Sequence, residues 1–126
     1  MDKKVINTTL APAPIGPYSQ AVEAGNMLFI SGQICIDPST GELNNKDVKS
    51  ETRQVMENLR SILQQAGIDF NHVIKTTIYI TDMNRFTEIN EVYGSYFADN
   101  YPARETVQVS ALPKFVNVEI SMIALK

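Results

Sequence analysis

Cysteine and histidine are almost missing from this chain, and tryptophan is missing altogether: among 126 residues there is one Cys35, one His72 and no Trp. A single thiol cannot close an intramolecular disulfide, so the fold must hold without cross-links, and the reducing cytoplasm is the expected location. Nothing near Cys35 in the sequence would depress a thiol pKa, so it reads as a small buried hydrophobe. His72 alone leaves almost no material for a metal cluster or for Ser/His/Asp or Cys/His chemistry, and a structural or solvent-facing role is expected for it. Long apolar runs are missing too. No stretch approaches the roughly 18 residues that span a bilayer, and the charged start Met1-Asp2-Lys3-Lys4 leads into no signal-like core, so neither a membrane nor export is expected. An excess of positive charge is also lacking. With 14 acidic and 11 basic residues the net charge is -3, which gives no global attraction to phosphate backbones, and nucleic acid is not the expected partner.

What is present fits one domain over residues 1–126, long enough to bury roughly two-thirds of its unfolded surface. Residues 5–11 read as a strand stopped by Pro12 and Pro14, which cannot donate to a ladder. In the loop that follows, Ile15-Gly16-Pro17-Tyr18-Ser19-Gln20 suits either a turn with a packed tyrosine or a mount that holds the Tyr18 hydroxyl over a ligand. A turn at 23–26 precedes an apolar strand over 27–36. Period two there puts Met27, Phe29, Ser31, Gln33 and Cys35 on one face, and Gly32 marks a bulge or a close backbone approach.

Asp47 is placed to cap a helix whose Val48, Val55, Met56, Leu59, Ile62, Leu63 and Ala66 recur at helical spacing up to Gly67. Val73–Thr81 alternates as a β-branched strand. A second helix, capped by Asp82 or Asn84, carries Phe86, Ile89, Tyr93, Tyr96 and Phe97 as its stripe. Asn90 lies on or beside that stripe, where its amide needs partners, either in the core or at a site. Two strands close the chain. In 104–111 the residues Arg104, Thr106, Gln108 and Ser110 share one face, and in 117–125 Glu119 sits with Asn117 and Ser121. An arginine and a glutamate inside strands with few other charges form either a structural ion pair or a site.

The element order is β-β-β-α-β-α-β-β, an α+β fold with two helices on one sheet face. Val107, Val109, Ile74 and Ile78 are expected beneath the helices. The reverse face would then mix Phe29, Tyr79, Ile123 and Leu125 with Arg104, Gln108 and Ser31, a surface best covered by another subunit.

Seven motifs in order, Gly16-Pro17-Tyr18-Ser19-Gln20, Ser31-Gly32-Gln33, Lys75-Thr76-Thr77, Asn90 with Tyr93, Pro102-Ala103-Arg104, Leu112-Pro113-Lys114 and Val118-Glu119-Ile120, resemble the RidA/YjgF family of reactive-intermediate deaminases. Its members are also labelled translation inhibitors or endoribonuclease L-PSP. The resemblance implies a chorismate-mutase-like fold, a homotrimer around a central barrel with a site at each subunit interface, and hydrolysis of 2-enamino and 2-imino acids to 2-keto acids and ammonia without cofactor or metal. It further implies that Arg104 clamps the substrate carboxylate and Glu119 positions water, with Tyr18, Ser31, Gly32, Asn90 and Thr106 completing the pocket. Thr106 stands where many members have cysteine, and Glu105, Gln108, Ala111 and Phe115 also depart from the family pattern. A non-catalytic trimer that senses 2-keto acids and an RNA-directed activity are the competing readings.

Overall fold

A computed structural model describes residues 2–126. Strands β1 (Lys3–Ile6), β2 (Ala21–Ala24) and β3 (Met27–Gln33) precede helix α1 (Val48–Gln65), strand β4 (Val73–Ile80), helix α2 (Phe86–Gly94) and strands β5 (Ala103–Gln108) and β6 (Val118–Leu125). The expected α+β order is present. Helix α1 begins where Asp47 accepts a 2.7 Å bond from the Ser50 N–H, and it stops at Gly67, whose φ of +81° a side chain would resist. Helix α2 follows a 3-10 turn, Met83–Arg85, whose Asn84 N–H bonds to Asp82. It is shorter than its apolar stripe. Tyr96 and Phe97 lie beyond its end, each edge-on to Phe70 at 5.4 and 5.5 Å.

The strand expected over residues 5–11 forms earlier, at Lys3–Ile6, because a buried side chain takes over the backbone that follows. Gln20 Oε1 accepts from the Thr8 N–H, and its Nε2 donates to the carbonyls of Thr8, Ala11 and Pro12, so this stretch is satisfied without a ladder. Strand β3 also differs from the even alternation. Ile30 pairs with Met122 and Gln33 with Ile120, so Ser31-Gly32 holds one extra residue, and the bulge turns Gln33 into the core instead of placing it with Met27 and Phe29.

The six strands form one sheet in the order β1-β2-β3-β6-β4-β5. Only β4 and β5 are parallel. Helices α1 and α2 cover one face, burying Ile30, Ile78, Ile80, Ile120 and Met122 beneath them. The other face pairs Phe29 with Ile123 and Tyr79 with Glu119 and is open, with Phe29 and Val107 more than 40% exposed.

Here one expectation is reversed. The parallel register sets Arg104, Thr106 and Gln108 beside Thr76, Ile78 and Ile80, so Arg104 and Gln108 belong to the helix side, and Val107 and Glu105 to the open side. Ile74 is exposed as well, because β4 steps two residues from Val73 to Lys75 while β6 steps only from Ala124 to Ile123, which leaves Ile74 outside the alternation.

Two further buried polar side chains, both on α1, tie that helix to the sheet and its connections. Glu51, 0% exposed in the first turn of α1, accepts from the N–H groups of Asn117 and Val118 at 2.7 and 2.9 Å and from the Asn117 amide at 2.8 Å. Asn58 donates to the carbonyls of Ile34 and Ile36, which lie past the end of β3. Cys35 is buried as expected, and burial, with the Glu51 charge adding, pushes its thiol pKa up to about 11, which keeps it protonated and inert.

Candidate active site

Arg104 leaves β5 on the helix side and meets α2. Its Nη1 donates to Asn90 Oδ1 at 2.7 Å, and its guanidinium carbon lies 5.5 Å from the Phe86 ring centre and 5.2 Å from that of Tyr93. The 86, 90, 93 spacing puts two rings and an amide on one helical face, so about two turns of α2 orient the cation by stacking and by one hydrogen bond. The Tyr93 hydroxyl in turn donates to Thr76 Oγ1 at 3.1 Å, and burial raises its pKa, which preserves it as a donor. Arg104 takes part in none of the ion pairs among the described residues. Its remaining N–H groups form a fork suited to a carboxylate. Two hollows flank the guanidinium, one of about 320 Å³ with Asn90, Tyr93 and Tyr101 and one of about 470 Å³ with Met83, Phe86 and Thr106. The Thr106 hydroxyl is shielded and has no hydrogen-bond partner among the described residues.

Glu119 stands on the opposite face. It borders a cleft of about 350 Å³ together with Tyr18, Ser31, Gly32, Ile15 and Pro113. No hydrogen bond or ion pair among the described residues engages its carboxylate, and partial burial raises its pKa above the usual glutamate range. A carboxyl of that kind suits proton transfer. The β3 bulge makes room for it: a Cβ on Gly32 would collide with Glu119 Oε2 and lie 2.8 Å from its carboxyl carbon. Gly32 is therefore a place of close approach as well as a bulge. Ser31 Oγ donates to the Ser19 carbonyl at 2.6 Å, which leaves its lone pairs able to accept, and Tyr18 Oη accepts from the Ile15 N–H at 3.3 Å, which leaves its own proton able to donate.

Two predictions arise from this geometry. Gly32→Ala is expected to displace the Glu119 carboxylate and lower any turnover that depends on it about tenfold, while thermal unfolding changes little, because the far end of a side chain can yield where backbone cannot. Near-wild-type turnover in that variant would show that the carboxylate position does not matter. Glu119→Gln is expected to stabilise the protein at neutral pH. The folded-state pKa is raised, so Glu119 contributes most to stability when protonated and loses that contribution as pH rises through the raised value. Unfolding midpoints of the two proteins should therefore converge at acid pH and separate at pH 7. A constant separation would contradict this.

The residues expected at the site thus fall into two groups. Arg104, Asn90 and Thr106 gather under α2, and Tyr18, Ser31, Gly32 and Glu119 gather beyond the sheet's other face. Because the sheet lies between them, Arg104 and Glu119 form no ion pair within the chain, and the structural-pair reading is overturned. Phe86, read from the sequence only as core, and Tyr93, read as core and as part of a family motif, gain a task beneath Arg104. Among the described residues no three His, Cys, Asp or Glu side chains are grouped to hold a metal ion. Among the described residues no helix is long and apolar enough to cross a membrane.

A family model described as endoribonuclease L-PSP matches residues 8–126. A RutC family protein of Pyrococcus horikoshii is 58% identical over 124 residues, which span 98% of both chains. The 2-iminobutanoate/2-iminopropanoate deaminase of Mus musculus is 51% identical over 124 residues, 98% of this chain and 92% of its own. Among solved structures, E. coli TdcF with bound serine superposes with a TM-score of 0.94 at 46% identity, covering 98% of each chain. With a family model along almost its whole length and relatives this similar on either side of the deaminase name, the chain belongs to the RidA/YjgF family.

Proposed function

We propose that this protein is a 2-iminobutanoate/2-iminopropanoate deaminase that works as a homotrimer, with each site built from the Arg104 side of one subunit and the Glu119 side of another. The observation that carries the reading is that Arg104 is oriented by Asn90 and two rings yet has no carboxylate partner, while an unpaired Glu119 with a raised pKa lies across the sheet. Neither group is complete by itself. The open face, with Phe29 and Val107 exposed, supplies the apolar surface that association would cover.

In the proposed reaction the Arg104 fork holds the substrate carboxylate and keeps C2 of the iminium in register. Glu119, ionised, takes a proton from water as the water oxygen bonds to C2 and the C=N π pair moves onto nitrogen. The carbinolamine then collapses: the proton held by Glu119 passes to the amino nitrogen, the C–N bond breaks with its electron pair going to the departing ammonia, and the hydroxyl proton is taken up by the freed Glu119 carboxylate and passed on to that ammonia as the C=O bond forms. One iminium and one water give one 2-keto acid and one ammonium. Orientation plus acid-base help of about 10²- to 10⁴-fold suffices for an imine that already hydrolyses in water.

The test couples threonine dehydratase to this protein and follows keto acid while semicarbazide traps free imine. Wild type should divert imine from the trap, and Arg104→Ala should not. Glu119→Gln should bind keto acid without turnover. Mixing the two inactive chains and letting them exchange subunits should restore activity, since some interfaces then join a native Arg104 to a native Glu119. If sedimentation shows exchange and activity stays absent, the shared site is wrong.

The serine in E. coli TdcF favours a second reading, a ligand-binding oligomer without turnover. In that case keto acid would bind, salt bridges to Arg104 would matter, and Glu119→Gln would change nothing. The RNA-directed reading, which the endoribonuclease description suggests, is disfavoured by the net charge of -3 and the single histidine.

A further inference from the structure

The Glu119 cleft does not end at Ile15. A second cleft of about 450 Å³ adjoins it and shares Pro12, Ala13, Ile15 and Ile36 as common wall, then runs on past Ala11, Pro38 and Gly41 to a polar end at Asn7, Thr8, Thr9 and Lys114. The shared wall is apolar. It is also fixed from behind at two points: the Gln20 amide bonds to the carbonyls of Ala11 and Pro12, and the Asn58 amide bonds to those of Ile34 and Ile36. Gln20 and Asn58 are each 1% exposed, so both anchors are protected from competing water. Ile15, by contrast, is 60% exposed and lines both clefts. A trough with a preset shape takes up an apolar chain without first being ordered, so the burial gain is kept as affinity.

We infer that this trough is a side-chain subsite, with Ile15 as its specificity-determining residue, and that it makes the protein prefer 2-imino acids bearing longer unbranched apolar side chains. The inference rests on the deaminase reading for the reaction but not for the trough. A short imino acid held between Arg104 and Glu119 leaves the trough empty. Each methylene laid along Pro12, Ala13 and Ile36 should raise kcat/KM about fourfold until the trough is filled.

The experiment generates imines in place with an L-amino-acid oxidase acting on alanine, 2-aminobutyrate, norvaline and norleucine, and compares kcat/KM along the series. Wild type should favour the norleucine imine over the alanine imine by more than tenfold, and Ile15→Trp, which fills the trough from the wall the two clefts share, should cut that ratio toward one. A flat series in wild type, or an Ile15→Trp protein that slows every substrate in proportion, overturns the inference while leaving the deaminase reading intact. If no imine is hydrolysed, the deaminase reading fails by itself. Titration with pyruvate, 2-oxobutanoate, 2-oxopentanoate and 2-oxohexanoate then decides the trough: affinity that climbs with length in wild type but not in Ile15→Trp supports it, and affinity independent of length refutes it.

Discussion

Arg104→Ala is expected to lower kcat/KM for 2-iminobutanoate about 100-fold, with most of the loss in KM and the fold retained. In the proposed reaction the clamp is a bidentate, charge-assisted contact, and removing one partner of such a contact costs about 2–5 kcal/mol where water is mostly excluded, the lower half of that range applying at a partly open site. Folding depends on Arg104 less. It gives up one hydrogen bond to Asn90 and stacking on Phe86 and Tyr93, about 1–2 kcal/mol in all. Arg104→Lys separates charge from geometry. It keeps the cation but loses the fork, so an intermediate loss of about tenfold is expected. Equal activity of the Lys and Arg proteins would show that a point charge is enough and that the rings of α2 serve packing alone. Steady-state kinetics with chemically generated imine, alongside thermal unfolding of the same samples, read both quantities.

Glu51→Ala is expected to be the most destabilising of the substitutions considered, by about 4 kcal/mol. The carboxylate is fully buried and collects three N–H groups from Asn117 and Val118, and the start of α1 adds its favourable dipole. Deletion strands the Val118 N–H in the core and leaves the two Asn117 donors unpaired at its edge, at the point where β6 enters the sheet. For a chain of this length that corresponds to a fall in Tm of about 15 °C. Glu51→Gln keeps one acceptor oxygen but turns an NH₂ toward the same donors, so roughly half the loss should remain. Urea unfolding should show the midpoint moving while the m-value holds. A loss below about 1 kcal/mol in the alanine protein would mean that water replaces the carboxylate and that β6 is held by its two neighbouring strands alone.

Helix α1 was legible because three independent local signals agree, the Asp47 cap, the apolar period and the left-handed Gly67. The irregularity at Gly32 was legible for a similar reason: a residue without a side chain in an apolar strand has little else to offer. The face of β5 was not legible. Alternation says that Arg104 and Thr106 are on one side and Val107 on the other, but which side is inward depends on the neighbours. Choosing the apolar side as inward fails here because α2 presents rings and an amide that hold a guanidinium, while the open face is itself apolar. The side chains that tie the fold together were equally hidden. Gln20, Glu51 and Asn58 look like ordinary polar residues until the distant carbonyls and N–H groups they satisfy come into place. Family motifs picked out Arg104 and Glu119 as a pair, but sequence spacing carries no information about a sheet lying between them.

Strand β6 is made after every other strand, yet it sits between β3 and β4 in the middle of the sheet. During synthesis β1 to β3 can close as a meander, and β4, α2 and β5 can assemble as a crossover unit, but no strand pairing joins the two halves until β6 has left the ribosome. Until then each half exposes one edge of β3 or β4 to other nascent chains. The residues that line the Glu119 cleft and those that orient Arg104 thus lie in separate halves, brought into one molecule only by the insertion of the strand that carries Glu119 itself.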